Sequence, residues 1–128
     1  MYKIITIDDE RSIRDGFKLA LEDFNEIEVY EAENGLEGFN LVQELQPDLV
    51  FIDLKMPVMS GPEALRKIRE LNPTLPVYVV TAFAKEFFDD LQALRGEGYK
   101  FEVAAKPLSL DQIQQIANFV LKHSEKKL

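Results

Sequence analysis

The chain contains no cysteine and no tryptophan. Without thiols there is no disulfide framework, no zinc–thiolate cluster and no cysteine nucleophile. At 128 residues it needs none of these: a chain of this length buries roughly two thirds of the surface its unfolded form exposes, enough for an apolar core. Basic residues are scarce as well, with 15 Lys and Arg against 23 Asp and Glu. The basic patches that drive nucleic-acid binding by counterion release are therefore not expected, and no direct nucleic-acid contact is predicted. Long apolar runs are missing too. The opening stretch Tyr2-Lys3-Ile4-Ile5-Thr6-Ile7 meets Asp8-Asp9-Glu10 far short of a signal-peptide core or a membrane span. A soluble, cytoplasmic protein without membrane contact is the expectation. With no internal repeat and no low-complexity tract, residues 1–128 read as one domain, with a linker beginning over 124–128.

What is present is an alternation of two periods. Short apolar runs at Ile4 to Ile7, Leu49 to Ile52, Val77 to Val80 and Val103 to Ala105 read as buried parallel strands. The mixed run Ile27 to Ala32, with Glu28 and Glu31, suits a sheet edge. Between the runs, apolar residues recur at three- and four-residue steps. They are Ile13, Phe17, Ala20, Leu21 and Phe24; Leu36, Phe39, Val42 and Leu45; Ala64, Leu65, Ile68 and Leu71; Ala84, Phe87, Phe88, Leu91 and Leu94; and Ile113, Ile116, Ala117 and Val120. The third stripe opens on the capping pattern Ser60-x-x-Glu63 and closes before Pro73. Strict β/α alternation predicts an α/β fold, one doubly wound parallel sheet with helices on both faces.

In such a fold ligands bind beyond the carboxyl ends of the strands. The first strand ends in Asp8-Asp9-Glu10, the third in Asp53, the fourth in Thr81 and the fifth in Lys106-Pro107. The acids also concentrate there: residues 1–60 hold 14 acids against 5 bases, net −9, whereas residues 61–128 hold 9 against 10, net +1. Converging carboxylates repel, by about 4 kcal/mol per pair at 4 Å and an effective dielectric near 20. A hard divalent cation such as Mg2+ removes that repulsion. Lys106 adds a point charge and Thr81 a hydroxyl, both suited to phosphoryl oxygens. A carboxylate, a cation, a Lys and a hydroxyl around one cavity point to aspartyl-phosphate chemistry, with Asp53 as nucleophile.

These pieces, Asp8-Asp9, Asp53-Leu54-Lys55-Met56-Pro57 with Ser60-Gly61, Thr81-Ala82 and Lys106-Pro107, resemble the receiver domain of bacterial two-component response regulators, over essentially the whole chain. The resemblance implies the flavodoxin-like strand order 2-1-3-4-5. It implies that Asp53 is the phospho-acceptor, that Asp8, Asp9, Asp53 and the backbone carbonyl of Lys55 hold Mg2+, and that Thr81 and Lys106 sense the phosphoryl group. It also implies a cis bond before Pro107. The implied partners are a histidine kinase or histidine phosphotransfer protein, an output domain or target protein, and a second copy of the chain after phosphorylation. The chemistry implied is self-phosphorylation and self-dephosphorylation, without enzymatic turnover of a substrate.

Several features fall outside that set. The family's usual aromatic three positions before the Lys is Val103 here, with Phe101 and Tyr99 the nearest rings, and Phe101 is expected on the same side of the strand as Val103. Gly96-Glu97-Gly98 lacks the third glycine of a dinucleotide loop and reads as a helix stop. Phe83, Phe87 and Phe88 read as core or partner-facing packing, and His123 as a surface side chain near a helix end. Two other functions compete. A magnesium-dependent aspartyl-phosphate phosphatase would carry a second Asp two residues after the nucleophile, where Lys55 stands. A receiver-like interaction module independent of phosphorylation would not need the complete acid, Thr and Lys set.

Overall fold

The computed structural model describes residues 1–125. Its elements alternate as β1 (Tyr2–Ile7), α1 (Arg11–Leu21), β2 (Ile27–Ala32), α2 (Gly35–Leu45), β3 (Leu49–Ile52), α3 (Gly61–Leu71), β4 (Val77–Thr81), α4 (Phe88–Gly96), β5 (Glu102–Ala105) and α5 (Leu110–Glu125). All strand pairs are parallel and their order is β2-β1-β3-β4-β5. The inner strands β1, β3 and β4 are largely apolar because both faces are covered, whereas the edge strands β2 and β5 are not. Ile5, Ile7, Val50, Ile52, Val77 and Val79 pack with Val42 of α2, Leu65 and Ile68 of α3, and Leu91 and Leu94 of α4. Ile4, Leu49, Phe51 and Val80 pack with α1 and α5, where the Phe17 and Phe51 rings tilt against each other 4.6 Å apart. Fully burying each such side chain stabilises the fold by about 1.5–3 kcal/mol.

Local chemistry sets the boundaries. The Asn34 side chain accepts from the Glu37 amide at 2.8 Å to open α2, and Ser60 caps α3 through the Glu63 amide, as its motif predicts. Helix α4 stops at Gly96, and Gly98 takes a φ of 91° in the loop that follows. The Lys106–Pro107 bond is cis, as the resemblance implies. Among the described residues, no helix is long and apolar enough to cross a membrane.

Three expectations need correction. Helix α4 begins at Phe88, not near Ala84; residues 84–87 form turns, because Phe87 at the cap has no side-chain acceptor for the helix amides. Strand β5 is not buried: it is the second edge of the sheet, and Val103 is 39% exposed. Its partner Val79 puts it on the α4 side, the side where Phe101 is buried, but α4 does not cover it. Leu36, Leu71 and Phe88 share the helical spacing yet are exposed, since each lies in a terminal turn beyond the sheet. The side chain of His123 and residues 126–128 lie outside the described residues; α5 continues through Ser124 and Glu125.

Candidate functional site

The sheet ladder runs one residue past the strands and thereby fixes the polar groups at its carboxyl edge. The Asp8 amide donates to the Ala32 carbonyl at 3.1 Å, Asp53 to Ile7 at 2.9 Å and Lys106 to Thr81 at 3.1 Å. These bonds bring Asp8, Asp53 and Lys106 together. Lys106 Nζ lies 2.7 Å from Asp8 Oδ2, 3.0 Å from Asp53 Oδ2 and 3.7 Å from Glu10 Oε1. Both aspartates are buried, Asp53 at 2% exposure. The other Asp53 oxygen, Oδ1, accepts from the Leu54 amide at 2.8 Å.

One ammonium thus serves two buried carboxylates. Burial pushes the Asp8 carboxyl above its ordinary range, by more than the hydrogen bond from Lys106 lowers it, and nearby Asp53 adds to the rise. Burial pulls Lys106 down, but its hydrogen bonds to Asp8 and Asp53 outweigh that, and the net shift is upward. The site is short of positive charge.

Ligand atoms of Asp8, Asp9 and Glu10 lie within 4.8 Å of one another, with Asp9 and Glu10 exposed. Asp53 is outside that group and joins it through Lys106. The Lys55 carbonyl accepts no hydrogen bond among the described residues. Its side chain reaches across the mouth of the site instead, 3.6 Å from Glu86 Oε2 and 4.8 Å above the Phe83 ring. Thr81 is buried; Oγ1 accepts from the Phe83 amide at 2.9 Å, and no hydrogen bond joins its side chain to Asp53 or Lys106.

The loop from Lys55 to Ser60 is pinned at its far end. The Gly61 amide donates to the Leu54 carbonyl at 2.8 Å, and the Gly35 amide to the Met59 carbonyl at 3.1 Å. A Cβ on Gly61 would lie 2.2 Å from the Asp53 carbonyl oxygen, so only glycine lets α3 start this close to the acid. Val58, between the pins, has a φ of 67°.

Read from sequence, Arg14 has no role, Glu31 only a place on a sheet edge and Gly61 only a part in a motif. Arg14 Nη1 donates to the Asp8 carbonyl at 2.8 Å while its Nε donates to Glu31 at 2.9 Å, so an ion pair between the buried Arg14 and the half-buried Glu31 braces the acidic turn. The signal was an arginine inside the apolar stripe of α1, one step before Phe17.

A doubly wound sheet with this acid, hydroxyl and ammonium edge defines the class. The chain belongs to the response regulator receiver domain family, whose model matches residues 4–118. It is a receiver domain of the kind found in two-component response regulators. It is 38% identical over 87 residues to the transcriptional regulatory protein YdfI of Bacillus subtilis, covering 67% of this chain and 40% of that protein. It is 30% identical over 116 residues to the transcriptional regulatory protein BtsR of Escherichia coli, covering 90% of this chain and 46% of that one. The chain thus spans less than half the length of these relatives. A solved receiver domain from Clostridium thermocellum superposes with a TM-score of 0.81 at 28% identity, each chain covered completely.

Proposed function

We propose that the chain is a phospho-acceptor switch: Asp53 takes a phosphoryl group from a phospho-histidine donor, a histidine kinase or a histidine phosphotransfer protein. In the transfer the phosphorus–nitrogen bond of the donor breaks as a bond forms from phosphorus to an Asp53 oxygen. The observation that carries the reading is Lys106 Nζ within 3.0 Å of Asp53 Oδ2, a fixed cation beside the acid that would be modified. Turning from that oxygen to a phosphoryl oxygen needs only rotation about the Lys106 side chain. The Thr81 hydroxyl accepts from Phe83 and keeps its own hydrogen free to donate.

The donor set suits Mg2+: three carboxylates within 4.8 Å, a carbonyl on Lys55 without a hydrogen bond among the described residues, and a buried Asp8 that shares the single ammonium of Lys106 with Asp53. Asp8, Asp9, Asp53 and the Lys55 carbonyl would hold it, and a bound Mg2+ supplies charge neutralisation at the phosphoryl oxygens. Glu10 is a further ligand candidate. The function is signalling without substrate turnover. The relatives YdfI and BtsR are transcriptional regulators, which supports an output domain or target protein as the receiver's partner.

The test is incubation with acetyl phosphate and Mg2+ followed by intact mass measurement. The parent gains one phosphoryl group and Asp53→Asn gains none. A parent that stays unmodified removes the phospho-acceptor reading and leaves the phosphorylation-independent interaction module.

A further inference from the structure

At the edge of the sheet opposite Asp53, a cleft of about 780 Å³ opens between the turn that precedes β4 and the loop joining α4 to β5. Its size falls in the range of sites for small organic ligands. Leu75, Val77, Tyr78, Tyr99 and Phe101 supply an apolar, largely aromatic lining, and Arg69 of α3 also lines it. Arg69 is 5% exposed, yet among the described residues no carboxylate lies within ion-pair distance of it. A cation buried without a counter-charge is uncommon, because removing it from water is expensive.

Its hydrogen bonds are two, both to backbone. Nε donates to the Lys100 carbonyl at 2.8 Å and Nη1 to the Asn72 carbonyl at 3.1 Å. These brace the end of α3 against the loop, and a purely structural arginine would need nothing more. Nη2 has no partner. No buried side-chain nitrogen or oxygen of the described residues lacks one, so Nη2 reaches accessible space. For a side chain this buried, that space is the cleft it lines. Burial lowers the guanidinium pKa, but from a value so high that the charge persists at neutral pH.

We propose that this cleft binds a small organic monocarboxylate with a flat apolar body, its carboxylate seated on the free edge of the Arg69 guanidinium. The rim selects the class. Glu70 and Glu102 stand exposed beside the cleft against one exposed cation, Lys100, and Glu97 is already paired with Arg66, so the rim is net acidic and polyanions such as nucleotides gain less from it than a single carboxylate seated inside on Arg69. The rings of Tyr78, Tyr99 and Phe101 suit an aryl or conjugated body. Because Arg69 also holds the Lys100 carbonyl, occupancy would tighten the loop that feeds β5.

Amide NMR titration of the whole chain with benzoate, and in parallel with uncharged benzamide, tests this. Benzoate should move the amides of Leu75, Val77, Lys100 and Phe101 with half-saturation at about 1 mM. Benzamide should bind at least about tenfold more weakly, because it lacks the charge-assisted contact. Arg69→Met should abolish the benzoate shifts. If that variant fails to fold, Thr74→Trp, at an exposed lining position, should abolish them by filling the cleft. Absent shifts at about 10 mM benzoate overturn the proposal, as does a benzamide titration equal to that of benzoate, or an unchanged titration in Thr74→Trp.

Discussion

Replacing Gly61 with alanine would put a methyl carbon 2.2 Å from the Asp53 carbonyl oxygen, 2.5 Å from Leu54 Cα and 3.0 Å from the Asp53 carbonyl carbon. All three are backbone atoms, so no side chain can rotate aside, and reaching ordinary contact requires a displacement of about 1 Å. Overpacking of this kind costs about 1–3 kcal/mol. Shifting α3 also strains the 2.8 Å bond from Gly61 to Leu54, a contribution of about 1 kcal/mol. The better helix propensity of alanine opposes these terms by at most about 1 kcal/mol. The steric terms win, and the net loss is about 2 kcal/mol, which for an unfolding entropy of about 2.1 cal/mol/K per residue lowers Tm by about 7 °C. Gly16 is the internal control: it lies inside α1 and a Cβ there meets nothing within 4 Å. Gly16→Ala should therefore stabilise by about 0.5–1 kcal/mol through propensity alone. Thermal and urea unfolding followed by circular dichroism measure both. A Gly61→Ala variant within about 2 °C of the parent would refute the close-approach argument.

Further outcomes follow from the same geometry. Asp9→Ala should weaken Mg2+ binding and remove the gain in Tm that the ion gives the parent; unchanged ion affinity would end the role assigned to Asp9. Hydrogen bonds from Lys18 and then Arg14 hold the Glu31 carboxyl below its ordinary value of about 4.5. Its contribution to stability is thus present above that pH and lost as the pH falls through the lower, folded-state value. Glu31→Gln should be less stable than the parent near neutrality and converge with it in acid, as urea midpoints at several pH values would reveal. Phe83→Ala removes the ring under Lys55 Nζ at the mouth of the site and should speed loss of the phosphoryl group severalfold, by admitting water. An equal dephosphorylation rate removes Phe83 from the argument.

The fold was readable where one physical signal acted alone. Runs such as Ile4 to Ile7 and Leu49 to Ile52 are apolar at consecutive positions because both faces of β1 and β3 are covered, and the strands lie where the runs do. Val103 to Ala105 carries the same apolar signature, yet β5 is exposed. Composition reports what a strand tolerates, and the absence of a neighbour beyond β5 is a property of the whole sheet. The start of α4 failed for a related reason: Ala84, Phe87 and Phe88 keep helical spacing, but periodicity does not register the missing cap at Phe87. At the site, Asp8, Asp53 and Lys106 were legible because each directly follows an apolar run. Arg14 was not, because its work depends on Glu31, seventeen residues away and visible only once β2 lies beside β1.

The double pinning of the loop after β3 gives the mouth of the site one tightly held jaw and one held by fewer bonds. The first is sutured to Leu54 and to Gly35, tightly enough to hold a β-branched residue, Val58, in the left-handed region that such residues avoid. Across from it, residues 82–87 run mostly exposed between the end of β4 and the start of α4. Their backbone tethers are the Phe83 amide on Thr81, a 3.2 Å bond from Phe87 to Phe83 and a 3.4 Å bond from Phe88 to Lys85. Phe87 rests on the core, and the side-chain link to the pinned loop is the exposed Lys55, 3.6 Å from Glu86 and over the Phe83 ring, a contact worth little in water. Compliance is therefore lopsided. A change of charge at Asp53 would meet a stiff wall on one side and a softer one toward α4, so the resting architecture would bias the direction of a response.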